Sequence, residues 1–162
     1  MELCVTGPKG EDVDALVAEH AGACCAADGR KTALMFAAEY GRLGLVRALV
    51  PLEARCQTDG GATALMHAAA AGHTECVREL VQHEQGMTNA GIETALVYAA
   101  YYGHPDAAAL LLGEAGVYNE FGEFALCYAI EMNWPLVLRL LLPVEGHLKT
   151  KHDPPRGLRD LV

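Results

Sequence analysis

The stretch GRKTALMFAAEYG, residues 29–41, decides the fold because the chain repeats it. Residues 60–72 read GGATALMHAAAAG, residues 91–103 read GIETALVYAAYYG, and residues 122–133 give the looser copy GEFALCYAIEMN. The leucines shared by these copies are 31, 31 and 30 residues apart, at Leu34, Leu65, Leu96 and Leu126. A fixed period of this kind is typical of proteins built from stacked structural repeats.

Each copy has the pattern of an amphipathic helix. In the first copy, Leu34 and the small residues that follow it are spaced as i, i+3, i+4 and i+7, and the next two copies share this stripe. In these three copies, the threonine two residues before the leucine is predicted to cap the helix, and the glycine at its far end to terminate it. Because most of the stripe is alanine, we expect neighbouring helices to pack closely.

A second helical pattern follows in each unit. Its apolar residues are Val46, Leu49 and Val50; Val77, Leu80 and Val81; Ala108, Leu111 and Leu112; and Val137, Leu140 and Leu141. Pro51 and Pro143 follow two of these stripes and are predicted to help stop the helices there. One helix pair cannot bury its own apolar face, so the pairs are expected to stack into an all-α, one-dimensional array.

The units resemble ankyrin repeats, whose pattern is G-x-T-P-L-H-x-A-A-x-x-G-H followed by V-x-x-L-L. The resemblance covers Gly29 to about Pro143, and the T-A-L-M-x-A-A-x-x-G variant is similar to ankyrin arrays of protists. Alanine replaces the family's proline at Ala33 and its equivalents, and the period of 31 is shorter than the family's usual value of about 33. The resemblance implies an ankyrin-repeat solenoid of stacked helix pairs with short β-turn fingers.

The repeats divide the chain into six segments. We predict a degenerate N-terminal capping repeat at 1–28, ankyrin repeats at 29–59, 60–90 and 91–121, a looser ankyrin repeat at 122–146, and a basic tail or C-terminal cap at 147–162. The last segment has two interpretations. Its apolar residues from Leu158 onward fit a single capping helix, and they also fit the start of a longer array.

Composition limits the classes of partner. The formal net charge of −9 disfavours binding to nucleic acid and to anionic membranes, and leaves basic protein partners open. The sequence shows no run long enough for a signal peptide or a membrane span. It also has no C-x-x-C pair, so its six cysteines are expected to be reduced and to act as small apolar residues. We therefore expect a cytoplasmic, monomeric protein.

The candidates for metal binding and catalysis are weak. The seven histidines and six cysteines do not have the short, fixed spacings that zinc sites use. Cys76 and Cys127 lie in helical patterns beside core residues, which favours a structural role over a nucleophilic one. The acidic residues are scattered and are expected to form a solvated face. We predict no metal site, no cofactor and no catalytic residue.

The residues just before each helix-ending glycine lie off the buried stripe. In the family's geometry these positions face a concave groove, together with finger residues before the threonine. The predicted partner-binding residues are Lys31, Glu39, Tyr40, Ala70, Ala71, Glu93, Tyr101, Tyr102, Phe121, Glu123, Glu131 and Met132. Exposed aromatic side chains among acids resemble an interface hot spot. The alternative is that Tyr101 and the nearby Trp134 pack on adjacent repeats.

These features predict a non-catalytic protein–protein interaction module, a scaffold or adaptor. Its partner is expected to bring a basic or amphipathic segment to the groove. Two alternatives stay open. The chain resembles short ankyrin proteins that inhibit or regulate an enzyme such as a kinase, and it also fits the ankyrin fragment of a larger protein.

Overall fold

The computed structural model describes residues 24–25 and 29–149. These residues form four helix pairs and one short pair of strands. The first helices of the pairs are α1 (Ala33–Glu39), α3 (Ala64–Ala71), α5 (Ala95–Tyr102) and α7 (Ala125–Glu131). The second helices are α2 (Leu43–Glu53), α4 (Thr74–Glu84), α6 (Pro105–Leu110, continued by a 3-10 turn, Leu112–Glu114) and α8 (Pro135–Glu145). Strands β1 (Cys24–Cys25) and β2 (Lys31–Thr32) pair antiparallel.

The helix pairs stack in chain order. The first helices contact one another in the row α1, α3, α5, α7, and the second helices form a parallel row of α2, α4, α6 and α8. Each first helix also packs on the second helix of its own pair. The predicted all-α solenoid is therefore confirmed, with nearest neighbours making the contacts that stabilise a repeat array.

Small side chains form the centre of the first-helix row. The paired alanines of the first three repeats are fully buried, at Ala37, Ala38, Ala68, Ala69, Ala99 and Ala100. The repeated leucines beside them are also buried. Alanine lets the helix axes approach closely, and leucine fills the space between the two rows. The predicted stripe is thus the core of the molecule.

The predicted helix ends are confirmed, except that the Thr94 side chain makes no cap hydrogen bond to its helix. The Thr32 and Thr63 hydroxyls each accept a hydrogen bond from the backbone N–H three residues later. At the other end, Gly72 and Gly103 adopt the left-handed conformation, with φ of 74° and 78°. A glycine reaches this conformation without steric cost, so it ends the helix cleanly.

The predicted stops at Pro51 and Pro143 are wrong. Helix α2 continues through Pro51 to Glu53, and α8 continues through Pro143 to Glu145. Both prolines are exposed in the last turn, where proline removes only one N–H from the helix. The two extra residues place Glu53 and Glu145 at buried positions.

The prediction that the acids form a solvated face is wrong for one set of four. Each repeat buries one glutamate near the end of its second helix, with 1–3% of its surface exposed, at Glu53, Glu84, Glu114 and Glu145. Their carboxylates accept hydrogen bonds of 2.7–2.9 Å from the backbone N–H of the repeated leucine in the same unit. These N–H groups lie in the first helical turn, where they have no partner within the helix.

Three of these carboxylates also reach the preceding repeat. Glu84 accepts from the Arg55 N–H at 3.0 Å, Glu114 from Gly86 at 2.9 Å, and Glu145 from Gly116 at 2.8 Å. Each glutamate therefore joins the start of its own first helix to the loop of the repeat before it. A buried carboxylate is tolerated here because several N–H groups replace its water.

The β-turn fingers are short, as expected from the period. Turns at 58–62, 89–93 and 119–123 each connect to the preceding turn by one backbone hydrogen bond, of 2.9, 2.9 and 3.3 Å, donated by Asp59, Ala90 and Glu120. Nearly all of the predicted segment 1–28 and residues 150–162 of the predicted tail lie outside the described residues, so both assignments stay predictions. Cys56 departs from the expected burial of cysteines, because its loop is exposed while Cys76 and Cys127 are buried.

Candidate functional site

One side of the first-helix row brings together four sets of equivalent residues, which we call the groove face. The finger-base set is Lys31, Ala62, Glu93 and Glu123. The mid-helix set is Phe36, His67, Tyr98 and Tyr128. The helix-end sets are Glu39, Ala70, Tyr101 and Glu131, and then Tyr40, Ala71, Tyr102 and Met132. Each set has one member per repeat, so stacking of the repeats aligns its members along the array.

The helix-end positions expose large side chains. The exposed fraction of these side chains is 46% for Tyr40, 40% for Tyr101, 50% for Tyr102 and 39% for Met132. The second repeat has only Ala70 and Ala71 at these positions. Because alanine side chains are short, the surface of this repeat is lower than that of the repeats beside it. The face therefore consists of aromatic side chains on both sides of a low, alanine-lined section.

At the N-terminal end of the groove face, positive and negative charges compensate each other. The Lys31 ammonium lies 2.9 Å from the Glu39 carboxylate, with both side chains partly exposed. It also lies 5.4 Å from the centre of the Phe36 ring. Because Lys31 is paired within the chain, this end offers little uncompensated charge to a partner.

His67 occupies the floor of the alanine-lined section. Its Nδ1 lies 3.8 Å from Glu39, and its Nε2 is buried without a hydrogen-bond partner among the described residues. Burial lowers the pKa of the imidazole, the Lys31 ammonium lowers it further, and Glu39 opposes them. The ring is therefore held neutral, which suits an apolar neighbour better than a charged one.

In the third and fourth repeats, an asparagine organises each finger. The Asn89 amide donates to the Glu93 carboxylate at 2.8 Å and to the Tyr98 hydroxyl at 3.0 Å. Asn119 bonds in the same way to Glu123 at 3.5 Å and to the Tyr128 hydroxyl at 2.8 Å. The two networks hold an acid and a phenol together at each finger base.

Tyr128 connects the two networks. Its hydroxyl donates to Glu93 of the preceding repeat at 3.3 Å, and its ring packs edge-on against Tyr101 with centroids 6.1 Å apart. Burial raises the pKa of the Tyr128 phenol, and the nearby Glu123 and Glu93 carboxylates raise it further. The phenol therefore keeps its proton, and it can give that proton to only one acceptor at a time.

Trp134 has a structural role, as the alternative interpretation held. Its indole N–H donates to the Tyr101 carbonyl at 2.9 Å. A Cβ placed on Gly103 would lie 2.5 Å from the Trp134 ring, so the ring covers this glycine closely. His73 and His104 cover the helix-ending glycines of the first two repeats in the same way. Trp134 thus replaces a histidine that packs adjacent repeats together.

The finger turns expose two apolar side chains. Phe121 is 62% exposed, and Ile92, in the preceding finger, is 46% exposed. Ile92 has a positive φ of 62°, a conformation that a β-branched residue rarely adopts. Phe121 was among the predicted binding residues, and Ile92 was not.

Of the predicted site residues, eleven lie in the finger-base and helix-end sets, and Phe121 lies at a finger turn. The mid-helix set was missed by the sequence reasoning. The signal was available, since Phe36, His67, Tyr98 and Tyr128 recur with the same period as the repeated leucines. Their partners Asn89 and Asn119 were missed too, because only the folded fingers bring them to the phenols.

Two further findings bear on the site. Within the described ranges, no group of three or more histidine, cysteine or acidic residues could hold a metal ion. No helix in that part of the chain is both long enough and apolar enough to cross a membrane.

Comparison with known families agrees with this architecture. The sequence model of a family described as "Ankyrin repeats (3 copies)" matches residues 2–90 and, in a second overlapping match, residues 34–118. The two matches together cover well over half of the chain, and α7 and α8 continue the same arrangement beyond them. No curated protein matched the chain. On the repeat pattern, the stacked helix pairs and this match, the chain belongs to the ankyrin-repeat family.

Proposed function

We propose that the protein is a non-catalytic interaction module, a scaffold or adaptor, whose groove face binds a basic or amphipathic segment of another protein. Ankyrin repeats are generally protein–protein interaction modules, which supports the general part of this proposal. The observation that carries the specific part is the row of exposed large side chains at the helix ends. Tyr40, Tyr102 and Met132 occupy equivalent positions in three repeats, each at least 39% exposed.

Charge supports a basic partner. Glu93, Glu123 and Glu131 lie on the groove face, and no ion pair within the described residues involves any of the three. The chain as a whole carries a net charge of −9. A partner with lysine or arginine would complement this face and would be steered toward it.

The partner can be captured and the groove tested with the same variants. A photo-crosslinking residue at Tyr102 is expected to trap the partner in an extract of the native source, whereas the same residue at Leu52, which is 54% exposed on the second-helix row, should not. With the purified partner, the double variant Tyr101→Ala, Tyr102→Ala should lose at least about 2 kcal/mol of binding free energy by calorimetry, a hot-spot value.

The matched control is Leu52→Ala with Leu142→Ala, which removes two exposed apolar side chains from the second helices. Circular dichroism should show both double variants folded. Normal binding by the tyrosine variant, with binding lost in the leucine variant, would refute the groove proposal. Adding the protein to an assay of the partner's own activity separates a scaffold from an inhibitor.

We further propose that the protein works as a monomer in the cytoplasm. The thiols of Cys76 and Cys127 are free, which suits a reducing compartment. Burial raises the pKa of the Cys76 and Cys127 thiols, so both stay protonated and unreactive. Analytical ultracentrifugation of the reduced protein should give the mass of a single chain, and a concentration-dependent dimer would contradict the proposal.

A further inference from the structure

The exposed aromatic side chains are concentrated at one end of the groove face. Three tyrosines and one methionine of the third and fourth repeats form a surface that we call the aromatic strip: Tyr101, Tyr102, Tyr128 and Met132. The Tyr101 ring packs edge-on against Tyr102, with centroids 5.0 Å apart, and against Tyr128 at 6.1 Å. Three of the four side chains are at least 39% exposed. The strip is therefore a continuous ring-lined surface, open to a partner.

Carboxylates flank this strip, and no basic side chain in the described ranges forms an ion pair with them. The Tyr128 hydroxyl has one proton, which it donates to Glu93 at 3.3 Å, and the Glu123 carboxylate is close enough to the same phenol to raise its pKa. When the proton points to Glu93, the donor left to Glu123 within the described residues is the Asn119 amide, which lies 3.5 Å away. Two neighbouring carboxylates thus share one hydroxyl donor, and no ion pair from the described part of the chain reaches either of them. Among residues 29–149, this surface therefore has no positively charged donor paired with these two acids.

In the first repeat, the chain supplies its own cation beside a ring and a carboxylate. There Lys31 takes the position of Glu93 and pairs with Glu39 at 2.9 Å, while its ammonium lies over the Phe36 ring. A cation between a ring and a carboxylate is therefore present at one end of the groove face. At the other end, the rings and the carboxylates are present, and no described residue supplies the cation.

We propose that the aromatic strip docks an arginine side chain of the protein partner, with the guanidinium against the tyrosine rings and hydrogen-bonded to Glu93 and Glu123. This inference rests on the proposed groove function and adds the chemistry and position of the contact. A guanidinium is planar, stacks on aromatic rings, and has donors for two carboxylates at once. The ammonium of lysine is a more strongly hydrated point charge and fits such a site less well.

The probe is a tetra-arginine amide peptide, titrated into the 162-residue chain and followed by NMR of labelled tyrosine rings. We expect the ring signals of Tyr101 and Tyr128 to shift most. Tetra-lysine should bind several-fold more weakly, and tetra-citrulline, which keeps the shape and loses the charge, should bind at least about tenfold more weakly.

Two double variants with the same change in net charge test the position. Glu93→Gln with Glu123→Gln should weaken tetra-arginine binding at least about tenfold, as loss of a desolvated charge contact does. Glu75→Gln with Glu79→Gln, on α4 in the second-helix row, should weaken it less than about threefold, since it changes only the long-range field.

Equal losses in the two double variants would overturn the arginine site, because the peptide would then be responding to net charge alone. Shifts centred on residues outside the aromatic strip would overturn it as well. If the arginine site fails while the Tyr101→Ala, Tyr102→Ala variant still loses the captured partner, the groove function stands and only this inference is wrong. Loss of tetra-arginine binding in the Glu93→Gln, Glu123→Gln variant and not in the Glu75→Gln, Glu79→Gln variant, with tetra-lysine binding more weakly than tetra-arginine, supports the site.

Discussion

At the scale of single residues, backbone strain at Ile92 is the clearest anomaly. The finger turns need a positive φ at one position, and the equivalent residues Gly61 and Gly122 have φ of 79° and 78°. Ile92 has φ of 62°, although its branched Cβ crowds the backbone there. Its side chain is 46% exposed, so burial offsets only part of the strain. An exposed apolar residue held in a strained turn beside the groove face is consistent with a contact residue.

Replacing this residue by glycine should stabilise the protein. Ile92→Gly removes the strain of the left-handed conformation and is expected to raise the free energy of unfolding by about 1 kcal/mol, measured by urea denaturation. The converse variant is Gly61→Ala, whose Cβ would lie 2.8 Å from the Ala90 nitrogen and should destabilise the fold. A loss of stability in Ile92→Gly would mean that the contacts of its side chain outweigh the strain.

At the scale of elements, the buried glutamates decide how a helix pair attaches to its neighbour. The carboxylate of Glu84 accepts from Leu65 at the start of α3 and from Arg55 in the loop after α2. In the fourth repeat, Phe124 stands where the first three repeats have a capping-position threonine, and no side chain caps the helix from that position. Within the described residues, Glu145 therefore provides the side-chain acceptor for the first turn of α7. A glutamate of the second helix thus caps the N-terminus of the first helix in all four described repeats.

Loss of one carboxylate should be costly. Glu84→Gln keeps the shape but turns an amide NH₂ toward a backbone donor, so we expect the free energy of unfolding to fall by about 1.5–3 kcal/mol. The control is Glu79→Gln on the same helix, where the lost partner is Arg47 on the surface. Such a pair contributes about 0–1 kcal/mol, and equal losses in the two variants would contradict the buried role of Glu84.

The pH dependence of stability reports on the same carboxylates. Burial raises the pKa of Glu145 above 4.5, against hydrogen bonds from Gly116 and Leu126 that lower it. Because the folded state then binds the proton more tightly than the unfolded state, this group stabilises the fold most below pH 4.5, and that contribution is lost as pH rises through the folded pKa. The stability of the natural chain relative to Glu145→Gln should therefore fall between pH 4.5 and neutrality.

Urea denaturation of both proteins across this range is the measurement. The comparison isolates Glu145, since all other titrating groups are common to the two chains. A relative stability that increases with pH would show that the two N–H donors outweigh the cost of burying the charge.

At the scale of the whole molecule, charge is distributed unevenly along the groove face. Lys31 and Glu39 compensate each other in the first repeat, while the third and fourth repeats carry Glu93, Glu123 and Glu131 beside the exposed tyrosines. The alanine-lined section of the second repeat lies between them. A bound segment is therefore expected to lie in one orientation, with its basic residues over the C-terminal end of the array.

Binding of the captured partner should weaken as salt is added. Unlike charges on two exposed surfaces are screened over about 8 Å at physiological ionic strength, so the association rate should fall most. Stopped-flow or surface-plasmon measurements at several salt concentrations separate association from dissociation. An association rate that does not change with salt would contradict a basic partner at this face.

The sequence by itself determined the architecture. A period of 31 residues, a leucine–alanine stripe, capping threonines and helix-ending glycines are local signals, and each acts within a few residues of its position. They were enough to predict the helix pairs, their stacking and the exposure of the tyrosines at the helix ends. Periodicity carries this information because every repeat must bury the same apolar face against its neighbours.

Only the tertiary structure decided which polar residues work together. The partners lie far apart in the chain. The separation is 29 residues for Glu84 and Arg55, 35 for Tyr128 and Glu93, and 33 for Trp134 and Tyr101. Nothing local distinguishes a buried glutamate from a solvated one, because the N–H groups that replace its water lie far from it in the chain. For Glu84 they come from the start of α3 in its own repeat and from the loop of the preceding repeat. Stacking sets these pairs, and it also leaves Glu93 and Glu123 facing one phenol, which is the basis of the proposed arginine site.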